Sequence, residues 1–287
     1  MEILLAIVAA VLFALGTVLQ QRAAMGEEVP EGKDSLGAGL LIRLVRRPVW
    51  LAGIAFDAIG FVGQAAALGI GRLAVVQPLL SLQVVFALPL GARLSHQHIG
   101  RREIAGAAVV TAGIAVFLVL SNPEGGRDDA PFPEWLITFV SAAALCGALV
   151  LASRGRRKEL RAALLGMATG ILWGVSAALT KATVDQLDDG IAALIVDWHL
   201  YALLVVGFFS ISLAQASLQV GALAPAIATQ SIFDPVSSVI LGVTLLQETL
   251  DVEFWAAAGS TLALLACFGG LVVLARSPIV QEQAAAG

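Results

Sequence analysis

Apolar residues gather along this chain into nine runs, each long enough for a helix to cross a bilayer, and polar residues collect between them. The runs place spans near 3–21, 49–69, 73–92, 103–120, 135–152, 162–182, 196–218, 222–246 and 254–275. None alternates with period two or falls to the short length of barrel strands, so the pattern predicts an all-α, polytopic membrane protein. The eighth run opens Ala222-Leu223-Ala224-Pro225 and carries Asp234-Pro235 at its middle, which predicts a kinked or broken helix. Residues 34–47, between the first two runs, carry an apolar and a basic face. They read equally as a short helix on the membrane surface or as an extension leading into Pro48-Val49-Trp50.

Charge turns this pattern into an orientation. With nine crossings, 14 of the 17 Lys and Arg residues fall on one side, and only Arg72, Arg127 and Lys181 fall on the other. Basic loops resist translocation, so the rich side is expected to be cytoplasmic, with the N-terminus outside and the C-terminus inside. The stretch from Ile191 to Leu246 holds no Lys or Arg, so the parity of the last three spans rests on Arg276. Composition agrees with the membrane class: 59% of residues are hydrophobic and 13% charged, with a mean hydropathy of +0.90. Soluble domains carry about 25% charged residues. The net charge of −4 marks no binding face, because the charges are sorted by side, and no basic patch for nucleic acid remains. Cys146 and Cys267 both lie in apolar runs, which argues against a disulfide framework or a cysteine metal site. Met1-Glu2 leads into the first run without a basic n-region or cleavage site, so that run is expected to be a retained helix. The expected setting is the cytoplasmic membrane of a bacterium.

An internal repeat organises the spans. A shift of 151 residues lays Gln64 on Gln215, Gln83 on Asp234 and Gln97 on Glu248; a shift of 160 lays Phe13 on Trp173, Leu19 on Leu179 and Gln21 on Lys181. The competing reading is coincidence among Ala-, Leu- and Val-rich helices, and the matched polar positions weigh against it. Spans one to four then match six to nine, with span five as connector. An odd number of crossings between the copies makes them inverted, a recurring device of secondary transporters. The expected division is a first repeat at 1–121, a connecting helix with its loops at 122–160, a second repeat at 161–276, and a cytoplasmic tail at 277–287.

The segments Leu80-Ser81-Leu82-Gln83-Val84-Val85-Phe86 and Ser231-Ile232-Phe233-Asp234-Pro235, then Gln247-Glu248, Ala105-Gly106 and Ala258-Gly259, resemble the drug/metabolite transporter superfamily in its EamA-like form. Members usually have ten helices in two inverted five-helix repeats, and this chain looks like one lacking the first. Within the superfamily it looks most like the NIPA-type group, associated with magnesium transport. The matching residues are Pro48-Val49-Trp50, Gly53, Ala74-Val75-Val76-Gln77-Pro78-Leu79, Asn122-Pro123-Glu124, and Gly174 through Thr180-Lys181-Ala182. One departure matters: the NIPA pattern has an acid where this chain has Phe61, and the nearest acid, Asp57, is about one turn away. Magnesium therefore does not simply carry over.

Polar groups at membrane depth are costly and usually face a cavity or one another. Asp57, Gln64, Gln77, Gln83, Gln215, Gln230 and Asp234 are the candidate lining of a central cavity, with Asp57 and Asp234 as candidate metal ligands and Pro78, Trp173 and Pro235 as candidate gating or kink residues. Carboxylates there would bind a cation, exchange a proton or attract an amine, and amides would suit a polar solute or a hydrated ion. For each glutamine the structural reading, cross-helix hydrogen bonding, is the stronger; for the two aspartates function is. Trp173 serves equally as ordinary core. Gly166, Gly170 and Gly174 form a stripe that favours tight packing within the bundle over dimerisation, and the assembly is a monomer or a homodimer. Trp50, Trp135 and Trp198 read as interface anchors, as does His199, whose other reading is a pH sensor. His96-x-His98 reads as a solvated loop rather than a metal pair. No phosphate loop, dinucleotide fingerprint or hydrolase motif is present, so the chain is expected to be no enzyme and to need no cofactor. The expectation is a secondary transporter for a small polar or cationic solute, coupled to H+ or Na+. The alternatives are a magnesium pathway and a membrane scaffold that transports nothing.

Overall fold

The computed structural model describes residues 1–25, 47–95, 99–220, 222–251 and 253–277. The amphipathic segment at 34–46, His96, His98 and the tail beyond Ser277 lie outside them. Among the described residues, nine helical stretches are long and apolar enough to cross a membrane. A bilayer core offers backbone amides no water, so each apolar run closes its hydrogen bonds within itself. In chain order the helices are α1 (Glu2–Met25), α2 (Pro48–Ile70), α3 (Leu73–Leu80), α4 (Gln83–Ser95), α5 (Arg101–Ser121), α6 (Phe132–Ser153), α7 (Lys158–Asp185), the short α8 (Ile191–Val196), α9 (Trp198–Gln219), α10 (Leu223–Thr244) and α11 (Phe254–Ala275). Helices α3 and α4 together make span three.

Local chemistry sets several of the ends. Pro48 and Pro133 stand in the first turns of α2 and α6, where an amide would have no partner in the helix. Asn122 closes α5 in the left-handed conformation at φ 36°, its amide donating to Leu118 O, and Pro123 follows. Asp197 caps α9 by accepting from the His199 amide at 2.8 Å.

The helix break falls in span three rather than at Asp234-Pro235. Span three divides at Ser81-Leu82, where the Leu82 amide bonds Leu79 O and the backbone tightens from the four-residue to the three-residue step. Pro78 lies just before this turn and Pro89 after it. In contrast, α10 runs unbroken through Pro235. Its neighbour holds it: Ser237 Oγ lies 3.0 Å from Asp234 O and 3.2 Å from Gly170 O on α7. Neighbouring helices and hydroxyls commonly sustain proline within a span in this way.

Glycine brings the main helix pairs together. A Cβ added at Gly166 would stand 2.6 Å from Ala226 O, at Gly170 2.8 Å from Asp234 N, and at Gly174 2.9 Å from Ser238 N. The glycine stripe of α7 thus lies directly on the α10 backbone, inside the bundle. Gly53 approaches Gly16 O where α1 crosses α2, and Gly113 approaches Ala263 O where α5 crosses α11. In span terms, one packs on two and three, six packs on seven and eight, three packs on eight, and four packs on nine. Span two also packs on span six.

Candidate functional site

The turn between α2 and α3, Gly71-Arg72, leaves carbonyls at the end of one helix and amides at the start of the next without helical partners. Two charged side chains from the far half of the sequence fill these positions. Lys181, only 5% exposed, donates to Leu68 O at 3.0 Å and Gly71 O at 2.9 Å, and to Asp128 Oδ1 at 2.8 Å. Glu248, 2% exposed, accepts from the Leu73 amide at 2.6 Å and the Ala74 amide at 2.9 Å. A cation thus meets the negative end of α2 and an anion the positive end of α3, the sign each helix dipole favours. Burial pushes the Glu248 carboxyl above its usual range, and the two amides with the Lys181 and Arg72 charges draw it only part of the way back.

The loops around this clamp are joined to it. Residues Glu124–Gly125 (β1) and Glu248–Thr249 (β2) form a short antiparallel ladder, with Glu124 opposite Thr249 and Gly125 opposite Glu248. Arg127 pairs with Glu134 and donates to Leu245 O, and Arg72 lies 3.7 Å from Glu2. Between these groups is a hollow of about 520 Å³, lined by Glu2, Arg72, Arg127, Asp128, Lys181 and Glu248 together with glycine backbone. The three cations that stand apart from the basic side of the sequence all converge on it.

Beside the hollow, His199 is almost fully buried. Its Nδ1 lies 2.6 Å from Asp197 Oδ1 and its Nε2 3.1 Å from Asp129 Oδ1. Trp135 also donates to Asp129, at 2.8 Å, and packs on Phe139, Trp198 and His199. Trp135 is therefore fully buried, not an anchor at the membrane interface as its place at a run end suggested.

The membrane-depth candidates do not form one cluster. Asp57 accepts from the Gln20 amide across α1 and α2, where it also meets Gly16. Gln64 is half-buried two turns along the same helix. Gln77 is 2% exposed with its Nε2 unpartnered, next to Pro78, and Gln83 begins α4 just past the break. Gln230 donates to Ser217 Oγ at 3.1 Å across α9 and α10. Asp234 follows one turn on, its Oδ1 sealed from solvent and without a partner, as is Ser238 Oγ. Trp173 is half-buried in α7. Gln215 departs from expectation: it is exposed, on the same outward stripe of α9 as Leu204, Phe208 and Ile211. A side chain on that stripe cannot line an interior cavity.

The expected metal pair is divided as well, with Asp57 on α2 and Asp234 on α10. Among the described residues no three His, Cys, Asp or Glu side chains gather as metal ligands. A second hollow of about 530 Å³ lies between α6, α7 and α10, with mostly apolar walls such as Ile137, Leu145, Val175 and Ile240. The residues sequence reasoning underused were Lys181, Arg72, Arg127 and Glu248. Their signal was present, because three cations off the basic side demand a local reason.

Fold and site together define a multi-pass α-helical membrane protein. Over 278 residues the chain is 31% identical to an uncharacterized protein of Corynebacterium glutamicum, an alignment covering 96% of this chain and 95% of that one, and it belongs to that protein's family. No family model and no solved structure matches the chain.

Proposed function

We propose that the protein is a secondary transporter of the drug/metabolite transporter type. It moves a small polar or cationic solute by alternating access between two inverted four-span halves, with its N-terminus outside. The observation that carries this reading is the pattern of helix contacts. Exchanging spans one to four with six to nine turns the contacts of one with two and three into those of six with seven and eight, and returns three with eight and four with nine to themselves. Two halves related in this way can trade conformations and expose a site between them to each side in turn. Span six breaks the exchange, because it also packs on spans two and three and on the connector. Span two lies against span six through Lys181, yet its counterpart, seven against one, is not among the closely packed pairs. Such asymmetry belongs to a transporter caught in one state, closed where Lys181 and Glu248 clamp the two halves.

The clamp supplies the test. Glu124 and Thr249 are direct partners across the ladder, at a spacing a disulfide spans. In a background of Cys146→Ala and Cys267→Ala, cross-linked Glu124→Cys/Thr249→Cys protein should retain binding but lose exchange in liposomes, and reduction should restore it. The solute is found first, by thermal stabilisation of the purified protein against inorganic cations, amines, amino acids and nucleosides. If no solute stabilises it, or the cross-linked protein exchanges at full rate, the reading fails.

A further inference from the structure

We propose that Asp234 is the site at which the transporter binds its coupling ion, and that the ion is a proton reaching it from the charged hollow along one face of α10. This inference rests on the transporter reading and adds the coupling ion to it.

Asp234 differs from Asp57 in its surroundings. The Asp57 carboxylate is held by the Gln20 amide, whereas Asp234 Oδ1 is shut from solvent and receives no donor. Among the described residues no Lys, Arg or His pairs with Asp234. The helices around it contribute Gly170 from α7 and Ser217, beside Gln230, from α9. Their charged and titratable groups, Lys158, Glu159, Arg161, Lys181 and Asp185 on α7 and His199 and Tyr201 on α9, stand several turns away near the helix ends. Helix α3 itself carries no charged residue, and Arg72 precedes it. Asp234 is half-buried, but a carboxylate at membrane depth with one oxygen sealed off and no counter-charge is disfavoured, and it persists either by holding a cation or by holding a proton. A site built from several acidic or imidazole ligands is not formed here, since among the described residues no three His, Cys, Asp or Glu side chains gather at Asp234. A proton needs only the carboxyl.

The route follows from helix geometry. Gln230, Asp234, Ser238 and Gly242 recur every four residues and share one face of α10. Ser238 Oγ is buried without a partner, and Gly242 lies against the Glu248 carboxylate and the start of α3. Glu248 in turn lines the hollow. Asp234 therefore lies about 12 Å below the clamp, with a hydroxyl midway. In this closed state the proton is retained, and opening the site to water lets it leave, because a ligand favours the state that binds it more tightly.

Infrared spectroscopy of the full chain in lipid nanodiscs at neutral pH reads the proton directly. The expected spectrum contains a neutral carboxylic acid band that shifts when aspartate carboxyl carbons are labelled with 13C. Glu248 gives no such shift. The band should vanish in Asp234→Asn and persist in Asp57→Asn. Should the asparagine variant not fold, labelled Asp234→Glu keeps a carboxyl there but should lose the isotope shift. Absence of a label-sensitive band, or its survival in Asp234→Asn or Asp234→Glu, would overturn the assignment. A bound proton without any solute-driven flux would leave the site standing and remove the transporter reading. Proton-coupled flux that persists undiminished in Asp234→Asn would do the reverse.

Discussion

Asp129 Oδ1 accepts from the Ala130 amide at 2.6 Å and the Trp135 indole at 2.8 Å, and the His199 ring stands 3.1 Å away as its ion-pair partner. Burial pushes its pKa up, but these three groups outweigh burial and hold it below its ordinary value of 3.8. The fold thus favours the ionised form. Its contribution to stability is complete above the unfolded-state value and disappears as pH falls through the folded one. Thermal unfolding of the detergent-solubilised protein should therefore lose stability below about pH 4. Asp129→Asn should lower the midpoint at neutral pH and flatten that acid loss, and Trp135→Phe, which removes a donor to the charged carboxylate, should cost about 1.5–3 kcal/mol. An acid limb unchanged in Asp129→Asn would place its origin in other carboxylates. The sequence made Trp135 look like an interface anchor because it stands at a run end. Its true partners, Trp198 and His199, arrive from more than sixty residues away, and no local pattern announces them. Asp57 and Asp234 were legible as costly residues; which of them keeps an unpartnered oxygen depends on Gln20, a contact between helices.

Helix contacts in this bundle depend on where side chains are missing. At Gly170 an added Cβ would stand 2.8 Å from both Asp234 N and Gln230 O, and backbone cannot step aside as a flexible side chain would. Gly170→Ala should force α7 and α10 apart at a cost of about 1–3 kcal/mol, read as a lower thermal midpoint. Gly207 on α9 has nothing within 4 Å of the same position. Gly207→Ala should be neutral or stabilise by up to about 1 kcal/mol through helix propensity. Equal effects at the two sites would show that α7 and α10 do not meet at this depth. The spans themselves were readable, because twenty apolar residues in a row have few other fates in a bilayer. Prolines were not. Spans three and eight both contain one near a polar residue, yet only span three breaks. The difference lies in Ser237 and the close glycine face of α7, and so in packing rather than in the proline. The seventh run, at 196–218, nearly matches α9, whereas the short α8 at Ile191–Val196 lies just ahead of it and was not foreseen.

At the scale of the whole molecule, charge and contact lead independently to the same arrangement. Glu2 lies by Arg72, Lys181 by Gly71 and Asp128, Asp129 by His199, and Glu124 by Thr249, so the loops bearing these residues meet at one end of the bundle. Arg127, Arg72 and Lys181 belong to that end. In the proposed orientation that end is the translocated one, where Lys and Arg are disfavoured unless they are neutralised in place. Each has a carboxylate partner: Arg72 has Glu2, Arg127 has Glu134, and Lys181 has Asp128. As closed pairs they add little net positive charge, which leaves the direction of insertion to the Arg154–Arg161 cluster and the other basic loops. Accessibility in intact cells tests the result. In protein carrying Cys146→Ala and Cys267→Ala, Thr249→Cys should react with a membrane-impermeant maleimide added outside. Arg154→Cys, also exposed, should react only after lysis. The opposite result would invert the bundle and put the charged hollow in the cytoplasm, where the proposed proton would enter from inside. Labelling of both from one side would break the odd count of crossings, and with it the inverted relation of the two halves.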